Sequence, residues 1–178
     1  MIAGVDEVGR GCLAGPVIAA SVILKRPIKG LMDSKKLSSK KRENLYQAIT
    51  ENSIFAIGAS DNQEIDKINI LQASLLAMRR SLEKLDLKPR KVLVDGTHIF
   101  ETSIEIESIV RGDNLIPSIS AASIVAKVYR DKLMMAYSKE FPDYGFQKHK
   151  GYPTKLHKEM LKRYGLTRIH RRTFKGVN

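Results

Sequence analysis

The sequence predicts a single α/β domain in which a mixed five-stranded sheet is flanked by helices. Two observations carry this. Strand-type apolar runs come first and only then alternate with helical periods, an order that mixes antiparallel with parallel pairing. The chain has 178 residues, within the roughly 100–200 expected of one domain. Hydrophobic residues make up 43% of it, enough for a core and too many for a disordered polar chain. No internal repeat, low-complexity tract or linker divides residues 1–178.

The elements follow in order. Residues 2–5 and 17–24 read as strands separated by a Gly-rich turn over residues 9–15, and residues 54–59 as a third strand. Ser38 or Ser39 is placed to cap a helix reaching about Glu51. Asp61 with Glu64 three residues later has the form of a capping box. Leu71, Leu75, Met78, Leu82 and Leu85 then recur at the spacing of one amphipathic helical face, which Pro89 follows. Residues 91–94 make a fourth strand and residues 104–110 a fifth, while Ile119, Ala122, Ala126 and Leu133 support a helix over about 118–140. Residues 141–178 differ in being rich in His, Lys and Arg, and read as an appended basic arm. Within it Pro153 and Thr154 open a short helix that Gly165 closes.

Charge narrows the partner. Lys plus Arg number 31 against 19 Asp plus Glu, a net charge of +12. That balance favours a polyanion, with nucleic acid ahead of a membrane surface because no basic amphipathic helix of the interfacial type stands out. No apolar stretch is long enough for a membrane span, and the start MIAGVDEVGR lacks the pattern of a secretory leader. The single Cys12 excludes an internal disulfide and any cysteine-based zinc site, so a reducing, cytoplasmic setting is expected.

Three tempting motifs fail. Residues 4–10 are spaced like a P-loop but put Asp6 and Glu7 where phosphate would sit and Arg10 where lysine belongs. Gly9, Gly11 and Gly15 miss the dinucleotide fingerprint by one residue. Arg111, Gly112 and Asp113 spell an adhesion tripeptide in a chain with no secretion signal.

Four acids stand at the ends of apolar runs: Asp6 and Glu7 after residues 2–5, Asp95 after 92–94, and Asp113 after 109–110. Any one of them could be only a cap or turn residue. Together they suggest carboxylates gathered for divalent cations, which would leave the basic surface for phosphates. Adjacent residues in a strand face opposite ways, so Asp6 and Glu7 can share one site only if the strand is ending there, and the Gly-rich turn provides such an end. If these strands are neighbours, the acids converge on a spot of the kind that holds two hard cations roughly 4 Å apart. A non-catalytic nucleic-acid binding module would explain the charge but has no use for the acids. A metal-free hydrolase with a carboxylate pair would explain Asp6 and Glu7 but not the basic balance.

The run Gly4-Val5-Asp6-Glu7-Val8-Gly9-Arg10-Gly11, followed by Leu13-Ala14-Gly15-Pro16 and Asp33-Ser34-Lys35-Lys36-Leu37-Ser38, resembles the ribonuclease HII family. Further matches follow in order at residues 65–71, Val94-Asp95-Gly96, Gly112-Asp113, residues 119–128 and His149-Lys150-Gly151-Tyr152-Pro153-Thr154, so the resemblance covers nearly the whole chain. It implies a ribonuclease H-like fold with a small helical C-terminal extension. It also implies metal-dependent hydrolysis of RNA in RNA–DNA hybrids, including a cut on the 5′ side of a single ribonucleotide in duplex DNA that leaves a 3′-hydroxyl and a 5′-phosphate.

Carried over residue by residue, the family's metal-binding acids fall on Asp6, Glu7, Asp95 and Asp113, with two Mg²⁺ or Mn²⁺ ions expected during catalysis. The element that reads the ribose 2′-hydroxyl falls on Gly9, Arg10 and Gly11, assisted by Tyr152. Lys35, Lys36, Lys148, Lys150, Arg171 and Arg172 are candidates for contacts to the nucleic-acid backbone, and a monomer is expected. Cys12, Arg111 and Tyr129 depart from residues frequent in the family, without removing a metal ligand. The Arg10 between glycines and the short lead to Val5 favour type HII over the sister type HIII.

Overall fold

Ile2–Val8 form the central strand β1, and Val17–Leu24 form β2, which returns antiparallel to it. The computed structural model describes residues 1–31 and 37–177, so Lys35 and Lys36 lie outside the described residues. After helix α1 (Ser39–Asn52), strand β3 (Ser53–Ser60) pairs antiparallel with β2. Helix α2 (Asn62–Glu83) then leads to β4 (Lys91–Asp95), parallel to β1 on its other side, and β5 (Glu105–Ile109) adds parallel to β4. The sheet order is β3-β2-β1-β4-β5, a mixed five-stranded sheet as expected.

Both faces of the sheet are covered, which is why β2 reads as eight apolar or small residues in a row with hardly an exposed position. On one face Ala3, Val5, Val17, Ala19, Val92 and Val94 pack against Ile65, Ala77 and Met78 of α2. On the other, Ile18, Ala20 and Val22 meet Leu45 and Ile49 of α1 and Ala121, Ile124 and Val125 of α4 (Pro117–Glu140). Gly4 allows this second contact: a Cβ there would lie 2.2 Å from the backbone of Ser118, so any side chain would push α4 off the central strand.

The caps at Ser38, at Asp61 with Glu64 and at Thr154 are those the sequence indicated. Helix α2, however, is broken inside. Asn69 has φ 66° and ψ 167°, and its side chain accepts a hydrogen bond from the Gln72 N–H at 3.1 Å, so the helix stops and is capped afresh at one residue. Asn is among the few residues that tolerate a positive φ.

Beyond α4 come a 3₁₀ turn (Pro142–Tyr144), helix α5 (Phe146–His149) and helix α6 (Lys155–Tyr164). This segment is less an appendage than the sequence suggested. Leu13 and Ala14 of the Gly-rich loop share a core with Met134, Tyr144, Phe146, Leu161 and Ile169. The backbone bonds Leu13 N–H to Gly151 O (2.8 Å), Gly15 N–H to Ile169 O (2.9 Å) and Arg171 N–H to Leu13 O (2.9 Å) stitch the two ends of the chain together. Apolar residues of the loop have nowhere else to be buried, which is why the arm folds back over them. No helix among the described residues is long and apolar enough to cross a membrane.

Candidate active site

Asp6 and Asp95 stand side by side on the two parallel strands in the middle of the sheet. β1 and β4 are paired up to Val5 and Val94, which sets Asp95 beside Asp6 one residue further on. After β5, Arg111 adopts φ 57° and turns the chain back into a short helix, α3 (Gly112–Leu115). That turn delivers Asp113, whose backbone N–H points to Asp95 Oδ1 at 3.4 Å. Asp6 and Asp113 are each only 3% exposed.

One expectation needs correcting. β1 does not end at the acids but runs on to Val8, because Val8 still pairs with Ile18 of β2. The alternation of a pleated strand therefore holds through the pair. Asp6 faces α4, where Ser123 hydrogen-bonds it, and Glu7 faces α2 in a cleft of about 260 Å³ lined also by Arg10, Ser74, Met78, Asp95 and His98. Accordingly, among the described residues no three His, Cys, Asp or Glu side chains already form a closed metal-binding group. Ligation would have to draw the acids together from the two faces of β1.

Electrostatics favours a cation there. Burial, then the charges of Glu7 and Asp95, push the Asp6 carboxyl well above the usual range. Burial also raises Glu7, partly opposed by Arg10, whose Nη1 lies 3.4 Å from Glu7 Oε1. Hard oxygen donors whose ionisation is opposed by one another and by burial suit a divalent ion, which would relieve both penalties.

Of the expected substrate-reading residues, Arg10 lies beside Glu7, while Tyr152 lies over Lys127 and Arg130. Gly9 is buried with φ +97°, while Arg10 and Gly11 face solvent at the loop tip. Tyr152 is 36% exposed, its ring 5.7 Å from Lys127 Nζ and 5.9 Å from Arg130 Cζ. Lys148 and Arg172 are exposed and Lys150 is half-buried, its ammonium donating to Gln147 O. Arg171 is a correction: it is fully buried and donates to the carbonyls of Gly9, Arg10 and Gly15, so it cannot reach a phosphate. The sequence reading missed this, and also missed Ser123 and Arg130. Ser123 is one of three buried serines of α4, and Arg130 is its one buried charge; the arginine at an apolar-face position was the available signal.

Tyr152 is held by three buried histidines. The Gly151 N–H donates to His149 Nδ1 (3.1 Å), leaving His149 Nε2 to donate to Tyr144 O (2.8 Å). His157 Nδ1 donates to Tyr152 O (2.9 Å), so its Nε2 accepts from His170 Nε2 at 3.0 Å. His170 Nδ1 in turn accepts from the Thr167 N–H (2.9 Å). Every ring nitrogen is satisfied with all three rings neutral. Burial first, then neighbouring rings, lowers His157 and His170 from 6.5 to about 4. A base depressed on folding favours the fold above its unfolded pKa and loses that advantage as pH falls. Wild-type protein should therefore lose stability between about pH 6.5 and 4, on the order of 3 kcal/mol per ring at most. Thermal melts should show a smaller acid-side drop for His157→Phe, and identical pH profiles would contradict the neutral network.

Comparison with known proteins fits this geometry. The family model of ribonuclease HII matches residues 3–177. The chain belongs to the ribonuclease HII family. Ribonuclease HII of Coxiella burnetii is 53% identical over 99% of this chain and 89% of its own length. That of Pelagibacter ubique is 52% identical over 100% and 97%. Among solved structures, ribonuclease H2 of Pyrococcus horikoshii OT3 superposes with a TM-score of 0.81 at 27% identity, covering 99% of this chain and 94% of that one. The RNase HII of Archaeoglobus fulgidus, solved in complex with PCNA, gives 0.82 at 26% identity over 98% and 95%. The ribonuclease H-like fold and a metal-dependent ribonuclease follow for this chain.

Proposed function

We propose that this protein cuts RNA in RNA–DNA hybrids and also cuts on the 5′ side of single ribonucleotides embedded in duplex DNA, leaving a 3′-hydroxyl and a 5′-phosphate. It would act as a monomer in the cytoplasm. The observation that carries the reading is the juxtaposition of a buried, mutually repelling acid cluster at Asp6, Glu7 and Asp95 with the glycine loop at residues 9–11.

Asp6, Glu7, Asp95 and Asp113 would hold two ions, Mg²⁺ or Mn²⁺. When bound they would supply activation of a water for attack and charge stabilisation at the departing 3′-oxygen. Asp6, next to Glu7 in sequence and to Asp95 across the strands, would be the central carboxylate of the set, with Ser123 hydrogen-bonded to it. Asp113 steadies the group from α3. Arg10, whose side chain is 47% exposed, is free to leave Glu7 for a substrate oxygen. Gly9 and Gly11 would let the backbone come close to a sugar and Tyr152 would cover it, its hydroxyl meeting the 2′-OH that separates RNA from DNA. Lys148, Lys150 and Arg172 would bind phosphates from the arm at residues 141–178, as would Lys35 and Lys36 outside the described residues.

The test is incubation with duplex DNA carrying one ribonucleotide, with and without Mg²⁺ or Mn²⁺, followed by sizing and end analysis. One cation-dependent cut 5′ to the ribonucleotide is expected. Binding with no cleavage under Mn²⁺ would make the chain a binding module. Cleavage that ignores a chelator would make it a metal-free hydrolase.

A further inference from the structure

Arg130 is one of the largest fully buried side chains of the protein, yet all its hydrogen bonds go to backbone carbonyls. From α4 its Nε donates to Pro16 O (2.9 Å), Nη2 to Ala14 O (3.0 Å) and Nη1 to Lys150 O (2.8 Å). Two of these acceptors belong to the loop that carries residues 9–11, and the third lies two residues before Tyr152. The same guanidinium sits 5.9 Å from the Tyr152 ring.

The surroundings are shaped to admit this group. Gly9, Gly15 and Gly151 all have positive φ; a Cβ at Gly9 would come within 2.3 Å of Arg130 Nε, whereas at Gly15 it would first meet Met134 Sδ (2.6 Å) and at Gly151 Ala14 O (2.5 Å), with Arg130 Nη2 next to both at 3.2 and 3.4 Å. Arg171 grips the loop as well, through Gly9 O (2.7 Å), Arg10 O (2.9 Å) and Gly15 O (2.8 Å), but none of its side-chain hydrogen bonds among the described residues reaches the Tyr152 segment. A buried cation is a poor way to gain stability, since an apolar side chain of similar volume avoids the desolvation penalty. A planar fork with fixed donor directions is a good way to fix the relative positions of its acceptors.

We propose that Arg130 is a positioning residue that locks the loop of residues 9–16 and Tyr152 into one ribose-reading unit, an inference that rests on the substrate-reading roles given to residues 9–11 and Tyr152 above. At a single embedded ribonucleotide the loop and the tyrosine must close on the same sugar, because only one 2′-hydroxyl is present. In a long hybrid neighbouring sugars offer the same group, so a small misalignment is tolerated. Arg130 therefore governs preference between the two substrates more than it governs binding.

The experiment compares wild type, Arg130→Lys and Arg130→Met on three ligands: duplex DNA with one ribonucleotide, a long RNA–DNA hybrid and plain duplex DNA. A misplacement near 1 Å costs on the order of a hundredfold in rate. Arg130→Lys should thus lose roughly 30- to 100-fold in kcat at the single ribonucleotide, with about threefold or less on the hybrid. Affinity for plain duplex should not change. Arg130→Met should show at least as large a shift in the substrate ratio. Equal losses on both cleavable substrates, or an unchanged ratio in either folded variant, overturn the proposal. If neither variant folds, the readout is the Arg130 Nε–H resonance of wild type with a chelator present. It should move on adding the ribonucleotide duplex and not on adding all-DNA duplex, and the same spectrum with both also overturns the proposal. Wild type that cuts neither substrate would sink the proposed function itself, whereas cutting of both with a preserved ratio in Arg130→Lys sinks only the positioning role.

Discussion

Asp6→Asn should cut turnover by about a thousandfold or more while raising the melting temperature of the chelated protein. The first effect follows because losing one carboxylate from a two-ion site removes several kcal/mol of transition-state stabilisation, and roughly 1.4 kcal/mol is a factor of ten. The second follows from the direction of the Asp6 shift. Its pKa in the fold lies well above the ordinary 3.8, driven first by burial and then by Glu7 and Asp95. A carboxyl raised on folding stabilises fully below its unfolded pKa, and that advantage is lost as pH rises through the folded value. At pH 7 without metal the raised carboxyl is therefore a liability to the fold, which an Asn of the same size, with no proton to titrate, removes. A gain of about 2–4 °C per kcal/mol is expected for a chain of this length. Cleavage near the wild-type rate would rule out the metal site as drawn. A chelated variant melting no higher than wild type would contradict the electrostatic account of Asp6. Asp113→Asn should lose turnover similarly.

Tyr152→Ala should reduce cleavage at a single embedded ribonucleotide by about a hundredfold, the cost of losing control over the sugar's position. The ring is 36% exposed, and the backbone that carries it is fixed by His157 and by the Arg130 bond to Lys150 O. Truncation therefore removes the contact surface without releasing the segment. Affinity for plain duplex DNA should stay within about threefold, since phosphate contacts supply most of it. Gel-shift titrations beside single-turnover cleavage separate the two quantities. Equal losses in both would mean that Tyr152 holds the arm together and does not read the sugar.

Sequence patterning carried the strands, the long helices and their caps because those depend on local chemistry: β2 is a continuous apolar run, and Ser38, Asp61 and Thr154 cap the helices they precede. The four acids were legible for the same reason, each standing where an apolar run gives out. Other features were not legible. Whether β1 stops at Asp6 depends on whether Val8 finds a partner in β2, a pairing decided 10 residues away. The break at Asn69 looks like continuous helix in a hydrophobic pattern, because Ile65, Ile68 and Ile70 keep their apolar character through it. Arg171 looked like one more surface cation in a basic tail, and only the folded loop shows its donors turned inward. Long-range acceptors leave no local trace in composition or spacing.

The stitching of residues 9–15 to Gly151, Ile169 and Arg171 has a consequence for how the enzyme is made. A ribosome adds roughly 5–20 residues per second, so the loop that would read the sugar emerges about 8–30 s before the guanidinium that braces it. During that interval the β1–β2 hairpin and its acids can exist and Arg130 is made, but the carbonyls of Gly9 and Arg10 still lack the Arg171 donors and the Gly15 N–H still lacks Ile169 O. A nascent chain stalled before residue 165 would thus carry all four acids and Arg130 and still lack the Arg171 fork that holds the carbonyls of Gly9, Arg10 and Gly15. Activity would switch on late in synthesis, after the rest of the fold is already in place.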